Sequence, residues 1–276
     1  MGETALAGPL PDNPPPSRRP FGNRGLLSLV LAVAAIWSLA SVDWTGPLLH
    51  TGGGSALWDF LLALFSPEVS PDFLALALTA AWQTLAFAVA GITLAVLLGF
   101  PLGVIASGAT VSASGGGSWP VPVRLLLAGM RSIHELVWAV LFVAAFGLSS
   151  LTAILAIALP YAGILGRIYA DLFNDVPEEP LRALRASGAS PLKVFLYGRL
   201  PMALPDVVGY TFYRFECAIR AAAIMSFIGI RGLGFEIQLS LQDLLFGQVW
   251  TLMLLLVALV LLVDRWSTGV RRSLSA

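Results

Sequence analysis

The sequence is short of charge: only 12% of its residues are Asp, Glu, Lys or Arg, about half the share of a soluble globular domain. Set beside 57% hydrophobic residues and a mean hydropathy of +0.84, that deficit excludes a disordered chain and argues against a single water-soluble globule. Sixteen basic residues balance sixteen acidic ones, so there is no basic surface for nucleic acid. Cysteine is nearly absent, and Cys217 alone cannot close an internal disulfide. His50 and His134 stand apart without a ligand cluster, so no metal site is expected. Lysine is reduced to Lys193 and no Gly-x-x-x-x-Gly-Lys occurs, so the chain has no P-loop of its own. No catalytic triad or acid pair is present. What remains is the composition of an all-α integral membrane protein.

A helix needs about 20 mostly apolar residues to cross a hydrocarbon core. Six stretches meet that need: 26–42, 73–106, 125–146, 148–169, 206–228 and 249–263. The second is too long for one perpendicular crossing, which predicts an interfacial lead-in and a crossing from about Ala80. The domain plan is a Pro-rich disordered cytoplasmic tail over 1–24, a first span with an extracytoplasmic segment over 25–72, and a transmembrane domain over 73–272. Arg18, Arg19, Arg24, Arg124, the arginines from Arg167 to Arg199, and Arg265, Arg271 and Arg272 fall at one set of span ends. At the opposite ends Arg231 is the lone exception. With six spans, this asymmetry puts both termini in the cytoplasm. The loop 107–122, with its glycine run, reads as a flexible cytoplasmic connector. Trp44, Trp58 and Phe60 suit a membrane interface. No internal repeat stands out. Gly229, Gly232 and Gly234 do not follow the dinucleotide fingerprint order and read as a close-packed turn.

The long connection 171–205 holds the most informative pattern. Val176-Pro177-Glu178-Glu179-Pro180 opens a helix with prolines and acids where the dipole favours them. Gly188-Ala189-Ser190-Pro191 breaks it, and a second helix, 192–200, is expected to end at Pro201. This predicts a hairpin with a small, exposed Ala/Gly elbow. It suits a shallow groove on a partner, or it is an ordinary loop between spans.

Arg182-Ala183-Leu184-Arg185-Ala186-Ser187-Gly188-Ala189, followed by Leu200-Pro201, resembles the EAA loop of ABC importer permeases. Arg131-Ser132-Ile133-His134-Glu135-Leu136-Val137-Trp138-Ala139 looks like the phosphonate-transport permeases. So do Tyr213-Arg214-Phe215-Glu216 with Ile219-Arg220-Ala221-Ala222-Ala223, and the run from Gly229 to Glu236. The resemblance covers about residues 73–272. It implies a MetI-like permease architecture of about six transmembrane helices in a bacterial cytoplasmic (inner) membrane. Further, it implies a second, identical permease chain, two ATP-binding subunits that use ATP and Mg, and an extracytoplasmic solute-binding protein; the chain itself would need no cofactor. The coupling loop would be Arg182, Ala183, Leu184, Gly188, Ala189, Leu200 and Pro201. Three positions depart from the pattern: Arg182 replaces the leading Glu, Gly198 a usually aliphatic residue, and His134 a frequent Pro.

Arg214, Glu216 and Arg220 are costly in hydrocarbon and should face the protein interior or water. Glu216 and Arg220 are four apart and can pair, as are Arg131 and Glu135, whereas Arg214 points to a different neighbour. These five residues either line a path for a phosphorus oxyanion, which arginine suits, or lock helices together as structural pairs. The expected function is a non-enzymatic permease subunit carrying phosphonate or a related phosphorus oxyanion. The alternatives are an ABC permease for methionine or another small solute, an ion-coupled secondary carrier, and a structural scaffold.

Overall fold

The computed structural model of the chain describes residues 23–42, 44, 53–110 and 120–274. The tail up to residue 22, Asp43, His50 and the glycine run 115–117 lie outside the described residues. All described secondary structure is helical: α1 Asn23–Ala40, α2 Gly53–Leu62, α3 Pro71–Ser107, α4 Pro120–Ser132, α5 Glu135–Phe146, α6 Ser150–Asn174, α7 Glu178–Ala186, α8 Pro191–Val194, α9 Leu200–Met225, α10 Leu233–Gln242 and α11 Phe246–Leu274. The chain divides into two units, Met1–Ala56 and Leu57–Ala276. The first holds α1, whose described side chains are all exposed, and α2 runs across the boundary.

In the second unit α6 is the central helix, packed by α3, α4, α5 and α9. Inside hydrocarbon no hydrophobic force drives helix against helix, so close packing of small residues does the work. The buried face of α3 reads Ala77, Ala80, Ala81, Thr84, Ala88, Gly91, Ile92, Ala95, Gly99, Gly103 and Ala106. Those positions recur every three or four residues, as one helix face requires. The apolar pattern of α3 is uniform around the helix, so side-chain size rather than hydropathy marks its packed face. The backbones approach closely at Gly103, where a Cβ would stand 2.8 Å from the Gly166 carbonyl oxygen, and at Gly99, where it would stand 2.9 Å from the Ala162 carbonyl oxygen and 3.2 Å from the Gly166 nitrogen. Beyond this seam Phe100 meets Tyr169 and Phe173 edge-on, and both partners are wholly buried.

Two expectations change. The stretch 73–106 has no lead-in break near Ala80: α3 is continuous over 37 residues, about 55 Å, because Ala77, Ala80 and Ala81 are covered by Leu233, Ile237, Val249 and Leu252 of α10 and α11. The stretch 125–146 is not one straight span. Its halves, α4 and α5, meet at 87°, where extended His134 caps α5 by accepting the Leu136 N–H at its Nδ1. The polar run Arg131–Glu135 was the sequence mark of that break. Phe60 packs within the protein as well: its ring stacks on Trp250, whose indole N–H donates to the Phe60 carbonyl. Among the described residues three helices (α3, α6, α11) are long and apolar enough to cross, or five with each bent pair counted as one. Two shorter apolar helices, Gly25–Ala40 and Gly53–Phe65, remain beside these, and α1, at the first expected stretch, would bring the count to six.

Gly99→Val should destabilise the folded helical unit by about 1–3 kcal/mol, the usual range for overpacking, seen as a lowered thermal midpoint in detergent. Leu97→Val, at an exposed position two residues away, should leave that midpoint nearly unchanged.

Candidate functional site

The hairpin begins where α6 ends. Glu178 and Glu179 occupy the first turn of α7, Leu181 is wholly buried, and Arg182, Ala183 and Ala186 face outward. α7 closes in a Schellman arrangement: the Ala189 N–H donates to the Leu184 carbonyl and the Gly188 N–H to that of Arg185. This requires the left-handed conformation that Gly188 adopts, with φ of +81°. A Cβ at Gly188 would meet no atom within 4 Å, so the elbow is open.

The second arm does not end at Pro201. α8 passes through a π-helical turn, Phe195–Arg199, directly into α9. The Leu200 N–H reaches back to the Phe195 carbonyl, and this widened turn relieves the clash a proline ring makes with the carbonyl four residues earlier. The arm is therefore a continuous extension of α9. Gly198 has a structural reason too: a Cβ there would fall 2.7 Å from a Leu181 methyl and 2.9 Å from a Leu184 methyl. The missing side chain is the space into which the α7 leucines pack.

Arg199 fastens the hairpin to α6. Its Nη1 donates to the Phe173 carbonyl and to Asn174 Oδ1, both at 3.0 Å, and its Nη2 lies 3.6 Å from Glu178. The other Glu178 oxygen accepts from Arg185 at 3.1 Å. With only 12% of the Arg199 side chain exposed, these bonds are shielded and matter more than the exposed Arg182–Glu179 contact at 3.9 Å.

On α9, Glu216 and Arg220 pair at 3.5 Å, and Arg220 also lies 3.4 Å from Cys217 Sγ. Arg214 has no acid partner among the described residues. Its Nε and Nη2 donate to the Tyr210 hydroxyl at 2.9 and 2.7 Å, and its guanidinium stands over the Tyr210 and Tyr213 rings. The spacing Tyr210–Arg214, one helical turn, was the signal available for that partner. The expected Arg131–Glu135 pair does not form, because the α4–α5 bend removes the continuous helix that four-residue spacing assumes. Glu135 instead lies 3.8 Å from His134, and Arg131 has no ion pair among the described residues. Buried Tyr161 of α6, which sequence reasoning missed, is within electrostatic reach of Glu135, Arg214, Cys217 and Arg220. Charges from α5 and α9 thus lie within electrostatic reach of one α6 tyrosine. Half of the Arg220 side chain remains exposed, and an arginine at that depth demands water or a partner.

The family described as "Binding-protein-dependent transport system inner membrane component" matches residues 24–275. The chain is 34% identical over 195 residues to the phosphite transport system permease protein PtxC of Stutzerimonas stutzeri, covering 69% of this chain and 68% of PtxC. It is 30% identical over 216 residues to the phosphate-import permease protein PhnE of Mycolicibacterium smegmatis, covering 77% of this chain and 40% of PhnE. Its fold is similar to a chain of the MetNI methionine ABC transporter solved in inward facing conformations, with a TM-score of 0.65, 23% identity, and coverage of 75% and 99%.

Gly198→Leu should loosen the hairpin by about 1–3 kcal/mol, measured as faster proteolysis between α7 and α9 in the folded protein. Leu181→Ala in the same chain should recover part of that loss by vacating the space.

Proposed function

The chain belongs to the binding-protein-dependent transport system inner membrane components, and on that premise we propose that it is the permease subunit that carries phosphite, phosphonate or a related phosphorus oxyanion through an ATP-driven importer. It is a multi-pass inner-membrane protein of the ABC permease type. In this reading two permease chains enclose the path, two ATP-binding subunits using ATP and Mg sit on the hairpin side, and a solute-binding protein delivers the anion to the opposite side. Both termini then lie on the cytoplasmic side with the hairpin, as the arginine distribution favours.

The observation that carries the coupling half of this reading is the construction of the hairpin. Its elbow is open and small, with Ala183, Ala186 and Gly188 outward, while its base is tied to α6 through Arg199 and is continuous with α9. A push on the elbow is therefore delivered to the spans as rigid-body movement rather than absorbed in a soft loop. The substrate half rests on kinship with the phosphite permease and on arginines suited to oxyanion oxygens. Charge in the path is tempered, because Glu216 offsets Arg220 and Arg214 is held on Tyr210. A path of unopposed arginines would trap its anion rather than release it. The likeness to the methionine transporter is one of fold, at an identity too low to bring its solute with it.

Gly188→Trp should abolish ATP-dependent uptake in proteoliposomes while membrane insertion is retained, whereas Gly188→Asn, which tolerates a positive φ, should keep most of it. Normal uptake by the Trp variant would show that the elbow docks nothing. Arg220→Gln should lower uptake of phosphite or phosphonate without dispersing the assembled complex. Loss of the assembly instead would make the Glu216–Arg220 pair structural.

A further inference from the structure

α9 runs from the hairpin to Met225, so the turn 226–232 lies at the far end of the helical unit, beside the start of α6 at Ser150. Between this turn, α6 and α3 is a cavity of about 520 Å³ lined by Trp82, Gln83, Phe87, Ser149, Ser150 and Arg231, among others. We propose that it is a receiving site for the transported anion, at the end of the protein where the solute enters; this rests on the reading of the chain as an oxyanion permease.

The lining chemistry is one-sided. A guanidinium, a carboxamide and two hydroxyls offer donors, and no carboxylate lines the cavity. Arginine with neutral donors is the group set that holds phosphorus oxygens. Among the described residues Arg231 is the sole Lys or Arg in the loops at this end, 66–70, 147–149, 226–232 and 243–245. It forms no ion pair among them, although Glu236 of α10 is within its electrostatic reach. The Ser149 hydroxyl is engaged with Thr152, whereas the side chains of Gln83 and Ser150 make no hydrogen bond among the described residues. Trp82 and Phe87 give the cavity an apolar wall, which suits the carbon substituent of a phosphonate.

Arg231 is also held in place. Gly229 turns the chain with φ of +103°, and a Cβ on Gly232 would collide with Ser226 Oγ and stand 3.0 Å from Thr84 Oγ1. The same Thr84 oxygen accepts the Leu233 N–H at 2.9 Å in a buried bond. The glycine run thus presses this turn against α3 and leaves Arg231 at the cavity.

The test uses the assembled transporter with Cys217→Ser, so that Ser150→Cys supplies the single thiol of this chain. A negatively charged thiosulfonate should react at position 150 about fivefold faster than a positively charged one of equal size. Arg231→Gln should remove that preference and Arg231→Lys retain it. Millimolar phosphite or methylphosphonate, but not chloride, should slow the reaction while Arg231 is present. Equal rates for the two reagents, or no protection by either anion, overturns the site. Gln83→Cys serves in the same way if Ser150→Cys does not assemble. Labelled phosphite and methylphosphonate uptake by the unsubstituted transporter is measured alongside. Uptake without protection refutes this site and leaves the transport reading standing. Protection without uptake of either anion does the reverse.

Discussion

The backbone of α3 lies directly on that of α6 where Gly99 meets Ala162 and Gly166, and the other elements take their places from that contact. A hydrocarbon surround gives no reward for bringing leucine to leucine, so helices associate where their backbones approach and dispersion contacts are dense. The alanine and glycine face of α3 supplies that approach for the length of the membrane and beyond it, where α10 and α11 cover its first turns. With α3 and α6 fixed, α4 docks on α6 beside α3, where a Cβ on Gly163 would fall 2.8 Å from the Leu127 carbonyl oxygen. α9 is joined to α6 by the hydrogen bond between Tyr169 and Thr211.

The two ends of α6 then set the two ends of the working unit. At one end Arg199 ties the Phe173 carbonyl and Asn174 to the hairpin, so the hairpin is fastened to the core. At the other, Ser149 and Ser150 form one wall of a cavity whose opposite wall is the glycine turn carrying Arg231. Between them, α5 and α9 bring Glu135, Arg214 and Arg220 within electrostatic reach of Tyr161, with Glu216 paired to Arg220. In the proposed reading the hairpin is a lever joined to a set of arginines whose charge is partly compensated, Arg220 by Glu216 and Arg214 by the Tyr210 hydroxyl.

Much of this was legible in the sequence, for identifiable reasons. Low charge with long apolar runs declares membrane helices, because a continuous apolar run of that length can satisfy its backbone groups in lipid within itself only as a helix, whereas barrel strands are shorter and alternate. The Pro-Glu-Glu-Pro start and Gly188 declare the hairpin, because dipole and left-handed turn chemistry are local. The Glu216–Arg220 pair follows from helical periodicity alone. What failed was whatever depended on helix continuity or on distant neighbours. Arg131 and Glu135 pair only on an unbroken helix, and the polar run that holds them is where the helix bends, with His134 capping α5. Pro201 suggested a stop, yet a single π turn lets the helix run past it. Gly198 looked like a departure from a motif until Leu181 and Leu184 were seen to fill its space. Tyr161 and Arg231 acquire meaning only when α6, α9 and α3 are brought together.

The central claim is that this chain transports a phosphorus oxyanion by coupling to a separate ATPase. It is tested most directly by purifying the tagged chain from its native membrane in mild detergent, identifying bound proteins by mass spectrometry, and assaying the isolated complex in vesicles for ATP-dependent phosphite and phosphonate uptake. The account predicts a stoichiometric ATP-binding subunit and uptake that stops when ATP is withheld. Repeated isolation of a lone, stable chain without an ATPase, or uptake driven by an ion gradient alone, would contradict it.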